Sequence, residues 1–111
     1  MKKKNILVVE DEPKMLRILD LHLSGEGYEV TKVSAAEDAL KALDRFETGE
    51  QRLSLVLTDL RLPGMDGLEL LKRIHLRFPA LPVVVMTAFG SVETAVEAMK
   101  QGAHEYITKP F

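Results

Sequence analysis

The chain contains no cysteine, which excludes disulfides, thiol nucleophiles and cysteine-ligated metals together. It also lacks a long apolar run. Lys2-Lys3-Lys4 is followed by Asn5-Ile6-Leu7-Val8-Val9, which gives way at once to Glu10-Asp11-Glu12. That is far short of the apolar segment of a secretory signal, and nothing elsewhere approaches the ~20 apolar residues that cross a bilayer. An excess of one charge is missing too: fifteen basic residues are interspersed with seventeen acidic ones. There is thus no electrostatic footprint for direct nucleic-acid binding or for a membrane surface. Repeats, low-complexity tracts and linkers are absent as well. The expectation is a single soluble, cytoplasmic domain, because 111 residues bury one substantial core but not two.

What the chain does have is an alternation of short apolar runs with amphipathic stretches. Residues 6–9, 53–57 and 83–86 are too short for helices, rich in β-branched residues or leucine, and apolar without alternation. Strands covered on both faces of a parallel sheet read that way. Residues 28–33 and 105–108 are weaker strand candidates. The first helix is predicted to start at Pro13, to carry Met15, Leu16, Leu19 and Leu23 at helical spacing, and to end at Gly25 and Gly27. Ser34 is the predicted cap of a second helix, with Ala36, Ala39, Leu40 and Leu43 inward. Asp66 is the predicted cap of a third, with Leu68, Leu71 and Ile74 inward and Pro79 beyond its end. Ser91 is the predicted cap of a fourth, with Val92, Ala95, Val96 and Met99 inward and Gly102 just past it. The order β-α-β-α-β-α-β-α-β predicts an α/β fold with right-handed crossovers and helices on both faces of a parallel sheet.

In such a sheet ligands bind beyond the carboxyl ends of the strands, near the point where strand order reverses. Those ends carry Glu10-Asp11-Glu12, Thr58-Asp59, Thr87-Ala88 and Thr108-Lys109-Pro110. If the first and third strands are neighbours, Glu10, Asp11 and Asp59 converge, with Thr87 and Lys109 on the adjoining strands. Two carboxylates ~4 Å apart repel by about 1 kcal/mol in water and roughly 4 kcal/mol at an effective dielectric of 20, so three together call for a cation. Oxygen-only ligation with few protein ligands suits Mg²⁺ better than Ca²⁺. An open-shelled Mg²⁺ beside a carboxylate, an ammonium and a hydroxyl is a site for phosphoryl transfer. Asp59, alone in its loop, is the predicted nucleophile; Glu10 and Asp11 are the predicted metal holders. Taken one at a time these residues are ordinary. Acids after a strand often only cap a helix, a Lys-Pro pair is usually a surface turn, and a strand-end threonine mostly bonds its own backbone. It is their coincidence at strand ends of one βα series that points to chemistry.

Four segments in register resemble the successive signatures of bacterial response regulator receiver domains: 6–12 (Ile-Leu-Val-Val-Glu-Asp-Glu), 57–67 (Leu-Thr-Asp-Leu-Arg-Leu-Pro-Gly-Met-Asp-Gly), 86–88 (Met-Thr-Ala) and 106–111 (Tyr-Ile-Thr-Lys-Pro-Phe). The resemblance runs the whole length of the chain. It implies a flavodoxin-like doubly wound sheet of five parallel strands in the order 2-1-3-4-5. It further implies that Asp59 accepts a phosphoryl group from a phosphohistidine of a sensor histidine kinase. On this pattern Asp11, Asp59 and the backbone carbonyl of Arg61 ligate Mg²⁺, for which Mn²⁺ can substitute, and Glu10 acts mainly through a metal-bound water. Lys109 pairs with the phosphoryl oxygens beside a cis Lys109-Pro110 bond. Thr87 swings to the phosphoryl group, and Tyr106 turns inward as the other half of a switch. Segments 88–91 and 95–103 look most like receivers of the nitrogen-regulation and dicarboxylate-transport activators. Those precede an ATPase domain and a DNA-binding domain, so the implied partners are the kinase, such an output domain and a second copy of the chain. A receiver of this kind is no enzyme beyond its own phosphorylation and dephosphorylation. His22, His75 and His104 are expected to be structural, Met15, Met86 and Met99 to pack in the core, and Met65 to cover the edge of the site.

The sequence stops just after the fifth predicted strand. The receiver pattern has a fifth helix there, and without it the face under Val8, Leu57 or their neighbours is expected to be partly exposed, favouring self-association or low stability. Two other classes are weighed, and a third possibility, an unphosphorylated pseudo-receiver used only for docking, is opposed by the complete set of acids, Thr87 and Lys109. A haloacid-dehalogenase-like phosphatase also uses a strand-end aspartate, but needs a second acid two residues on, where this chain has Arg61. A flavodoxin-like FMN binder needs a first loop rich in Ser, Thr and Gly, and Glu10-Asp11-Glu12 would repel its phosphate.

Overall fold

A computed structural model describes residues 4–49, 52–62, 64–87 and 92–108. The elements alternate as β1 (Asn5–Val9), α1 (Pro13–Gly25), β2 (Glu29–Val33), α2 (Ala36–Thr48), β3 (Leu53–Asp59), α3 (Gly67–Arg77), β4 (Val83–Thr87), α4 (Val92–Lys100) and β5 (Glu105–Thr108). The five strands form one parallel sheet in the order β2-β1-β3-β4-β5, as expected. Every residue of β1 is buried, which is why its apolar run shows no alternation. The register between β1 and β3 shifts after Asn5, whose side-chain amide donates to the Arg52 carbonyl at 3.2 Å.

The helices cover the two faces unequally. On one face Leu7, Val9, Val56, Val83 and Val85 pack with Ala36, Ala39 and Leu43 of α2, Leu70, Leu71 and Ile74 of α3, and Ala98 of α4. On the other face Ile6, Val8, Leu57 and Met86 meet Leu19 of α1, with Met15, Leu16 and Leu23 partly buried around it. Val8 is fully buried and Leu57 is 7% exposed, so the partial exposure expected for this face falls on their neighbours Leu55, Val84 and Ile107, which are only half-buried. Among the described residues α1 is the helix that shields the middle of that face.

Two helix starts separate in outcome. The Asp66 side chain accepts from the Glu69 N–H at 2.9 Å and caps α3, as predicted. Ser34 does not cap α2. Ala35 is the capping residue, with no side-chain bond, and Glu37 and Asp38 occupy the first turn instead, where they complement the positive end of the helix dipole. α4 is rotated from its predicted setting. Ala95 and Ala98 are buried, whereas Val96 and Met99 are 47% and 39% exposed. Two alanines let the helix sit close on the sheet, and that contact overrides the larger apolar residues. Ser91, and the side chain of Val92, lie outside what is described. α1 ends as expected, with Gly27 at φ +93 and the Tyr28 N–H returning to the Leu23 carbonyl at 3.1 Å. No helix among the described residues is long and apolar enough to cross a membrane.

Candidate functional site

Three acids meet at the carboxyl ends of the central strands β1 and β3. Glu10 directly follows β1 and is fully buried. Its backbone N–H continues the sheet ladder to the Val33 carbonyl at 3.1 Å, and its Oε2 accepts from the Glu12 N–H at 3.4 Å. Asp11 is exposed in the short connection to Pro13. Asp59 is the last residue of β3 and 8% exposed. Each of the three offers a carboxylate oxygen, and these oxygens all lie within 4.8 Å of one another. Among the described residues no other cluster of this kind exists, and His22, His75 and His104 stand apart from it.

Asp59 is aimed by its surroundings. Its Oδ1 accepts from the Arg61 N–H at 3.0 Å, an Asx turn that restricts rotation of the carboxylate. The next residue is anchored on both sides, since the Leu60 N–H donates to the Met86 carbonyl at 3.2 Å and the Leu60 carbonyl accepts from the Gly67 N–H at 2.9 Å. The buried Thr58 hydroxyl donates to the Asp59 carbonyl at 3.0 Å. Thr58 and Gly67 were not singled out from sequence. A threonine one place before Asp59 and a glycine inside a turn motif carry no pattern that separates support from filler.

The other predicted residues fall as follows. Arg61 is exposed beside Asp11, Leu62 and Asp66, along a groove that continues to Thr94 of α4. Met65 is half-buried and packs on the core face. Tyr106 is 40% exposed on β5, in register with Val85. Thr87 ends β4 in register with Thr108; its side chain, like the whole of Lys109 and Pro110, lies outside what is described. A separate hollow lined by Phe46, Arg52, Phe78 and Leu81 opens at the amino end of the sheet and holds none of the predicted site residues.

The donor set fits a hard divalent cation. All three ligand atoms are carboxylate oxygens, two come from residues buried at the end of the sheet, and the exposed Asp11 leaves one side open to solvent. The family model for the response regulator receiver domain matches residues 6–111. The chain belongs to that family. The receiver is 46% identical over 106 residues to the response regulator protein FleR of Pseudomonas aeruginosa, covering 96% of this chain and 21% of that protein. It is 40% identical over 111 residues to the DNA-binding transcriptional regulator NtrC of Proteus hauseri, covering all of this chain and 22% of the relative. It therefore spans about a fifth of the length of these relatives. Among solved structures, NtrX from Brucella abortus superposes with a TM-score of 0.89 at 38% identity, over 99% of this receiver and 24% of NtrX. The likeness to nitrogen-regulation receivers expected from the sequence is thus upheld.

Proposed function

We propose that the receiver accepts a phosphoryl group on Asp59 from a phosphohistidine of a sensor histidine kinase, in a reaction that requires Mg²⁺ or Mn²⁺. The observation that carries this reading is the placement of Asp59, buried at the end of β3, its Oδ1 held by the Arg61 N–H and its carboxylate within 4.8 Å of those of Glu10 and Asp11. Glu10, Asp11 and Asp59, with the Arg61 carbonyl, would hold the cation. When bound, the cation neutralises charge on the phosphoryl oxygens. In the transfer an Asp59 carboxylate oxygen attacks phosphorus as the P–N bond breaks. The electron pair stays on the imidazole nitrogen, which takes up a proton, and an aspartyl phosphate is formed.

Lys109 would neutralise a further phosphoryl oxygen, and the Thr87 hydroxyl would donate to another. Tyr106 would then leave its exposed setting for the space beside β4, carrying the signal outward. The receiver would catalyse only its own phosphorylation and dephosphorylation, in the cytoplasm. NtrX has been solved in complex with ADP, and NtrC is named a DNA-binding transcriptional regulator. Those likenesses support an output with ATPase and DNA-binding parts, switched by this receiver. The test is intact mass spectrometry after incubation with acetyl phosphate, with and without Mg²⁺. Wild type is expected to gain one phosphoryl group only with Mg²⁺, and Asp59→Asn to gain none. A wild-type protein that binds Mg²⁺ and stays unmodified would leave a docking role without phosphorylation.

A further inference from the structure

Behind Asp59 two backbones approach very closely. α3 begins at Gly67, which is buried and donates its N–H to the Leu60 carbonyl at 2.9 Å. A Cβ at this position would lie 2.4 Å from the Asp59 carbonyl oxygen, 2.5 Å from Leu60 Cα and 3.0 Å from the Leu60 carbonyl carbon. All three are backbone atoms, so no rotamer change relieves the overlap, and the main chain itself must move. The described glycines with positive φ are Gly27, Gly64 and Gly102. Gly67 is not one of them, so glycine is needed here for space and not for conformation.

The peptide pressed upon is the acceptor's own. It is gripped between β4, through the Leu60 N–H on the Met86 carbonyl, and the first turn of α3. That turn is set by the Asp66 cap on the Glu69 N–H. We propose that Gly67 is a positioning residue for phosphoryl transfer: lacking a side chain, it seats α3 directly against the Asp59–Leu60 peptide and holds the Asp59 carboxylate in reach of Glu10 and Asp11. Gly67 touches neither phosphoryl group nor cation, and this role rests on the phosphoacceptor reading above. Misplacing a reacting group by about 1 Å can cost on the order of a hundredfold in rate.

The test is Gly67→Ala, with Gly102→Ala as a control of comparable strain. A Cβ at Gly102 would meet the His75 ring at 2.8 Å, at φ +106, beside the amino end of β5 and away from the acids. Three quantities are measured on each: the unfolding midpoint, Mg²⁺ affinity by calorimetry, and the rate of phosphorylation by acetyl phosphate. Gly67→Ala is expected to lose about ten- to a hundredfold in rate and to bind Mg²⁺ more weakly, while Gly102→Ala keeps both despite lost stability. A folded Gly67→Ala with wild-type rate and affinity overturns the proposal, as does an equal loss in Gly102→Ala. If Gly67→Ala does not fold, Asp66→Ala decides, because it loosens the same turn without filling space. A lower rate supports the proposal and an unchanged one overturns it. Should wild type itself take up no phosphoryl group, the phosphoacceptor reading fails separately, and the Mg²⁺ affinities still show whether Gly67 places Asp59.

Discussion

Asp20 and Arg77 are two residues whose ionisation the fold biases, and both lie away from the acid cluster. Asp20 on α1 accepts from the Lys32 ammonium of β2 at 2.8 Å and from the Ser24 hydroxyl at 2.9 Å. The Lys32 hydrogen bond, then that of Ser24, holds its carboxyl below the usual value. A depressed carboxyl stabilises the fold above its unfolded pKa, and the contribution disappears as pH falls through the folded one. Because the pair is exposed, the effect is small. Asp20→Asn is expected to lower the thermal midpoint slightly at neutral pH and by less at about pH 2.5, below the ordinary carboxylate range. A deficit of equal size at both pH values would mean that Asp20 acts through packing and not through charge. Arg77 is pushed the other way, its guanidinium raised first by the Asp44 bond and then by Glu47. Stability from a raised cation is lost only above its folded pKa, so this clamp between α2 and α3 keeps its positive partner throughout the working range.

At the scale of the element, the helix starts and the rotation of α4 show where sequence signals hold. Asp66 has a carboxylate short enough to turn back on the Glu69 N–H, and the segment before it forms a turn that presents it. Ser34 is chemically as good a cap, but the chain leaves β2 extended through Ala35 and starts α2 one residue later. Asp66→Ala is therefore expected to lose about 1 kcal/mol, and Ser34→Ala less than about 0.5 kcal/mol, by urea unfolding. Equal losses would restore the Ser34 cap. In α4 the apolar residues Ala95, Val96, Ala98 and Met99 occupy too much of the circumference to select one face. Close approach to the sheet selects the alanines and leaves Val96 and Met99 outward.

At the scale of the molecule, the strand order makes β1 and β3 neighbours, and this alone brings acids nearly fifty residues apart in the chain into one cluster. Cation binding at that cluster couples to folding, because the unfolded chain does not hold the three carboxylates together. Mg²⁺ at a hundred times its Kd is expected to raise the unfolding free energy by about 2.7 kcal/mol, and Asp11→Ala to abolish most of that gain. Denaturant melts across a Mg²⁺ series check it; an unchanged wild-type midpoint would remove the cation from the account. The hollow at the amino end of the sheet lies at the other end of the strands and holds none of the three acids, so its presence does not compete with this assignment.

The type and order of the elements were legible in the sequence, because burial on both faces writes continuous apolar runs into the strands and helical spacing writes itself between them. So were Glu10, Asp11 and Asp59, since strand ends in a parallel series share one edge once the order is known. The seating of Gly67 against the Asp59–Leu60 peptide, the failure of Ser34 to cap, the face of α4 turned inward and the shielding of Val8 and Leu57 by α1 were decided only in the folded molecule. Residue type and periodicity are local properties of the chain. How closely two backbones approach, and which of several adequate faces wins, depends on packing between elements distant in sequence.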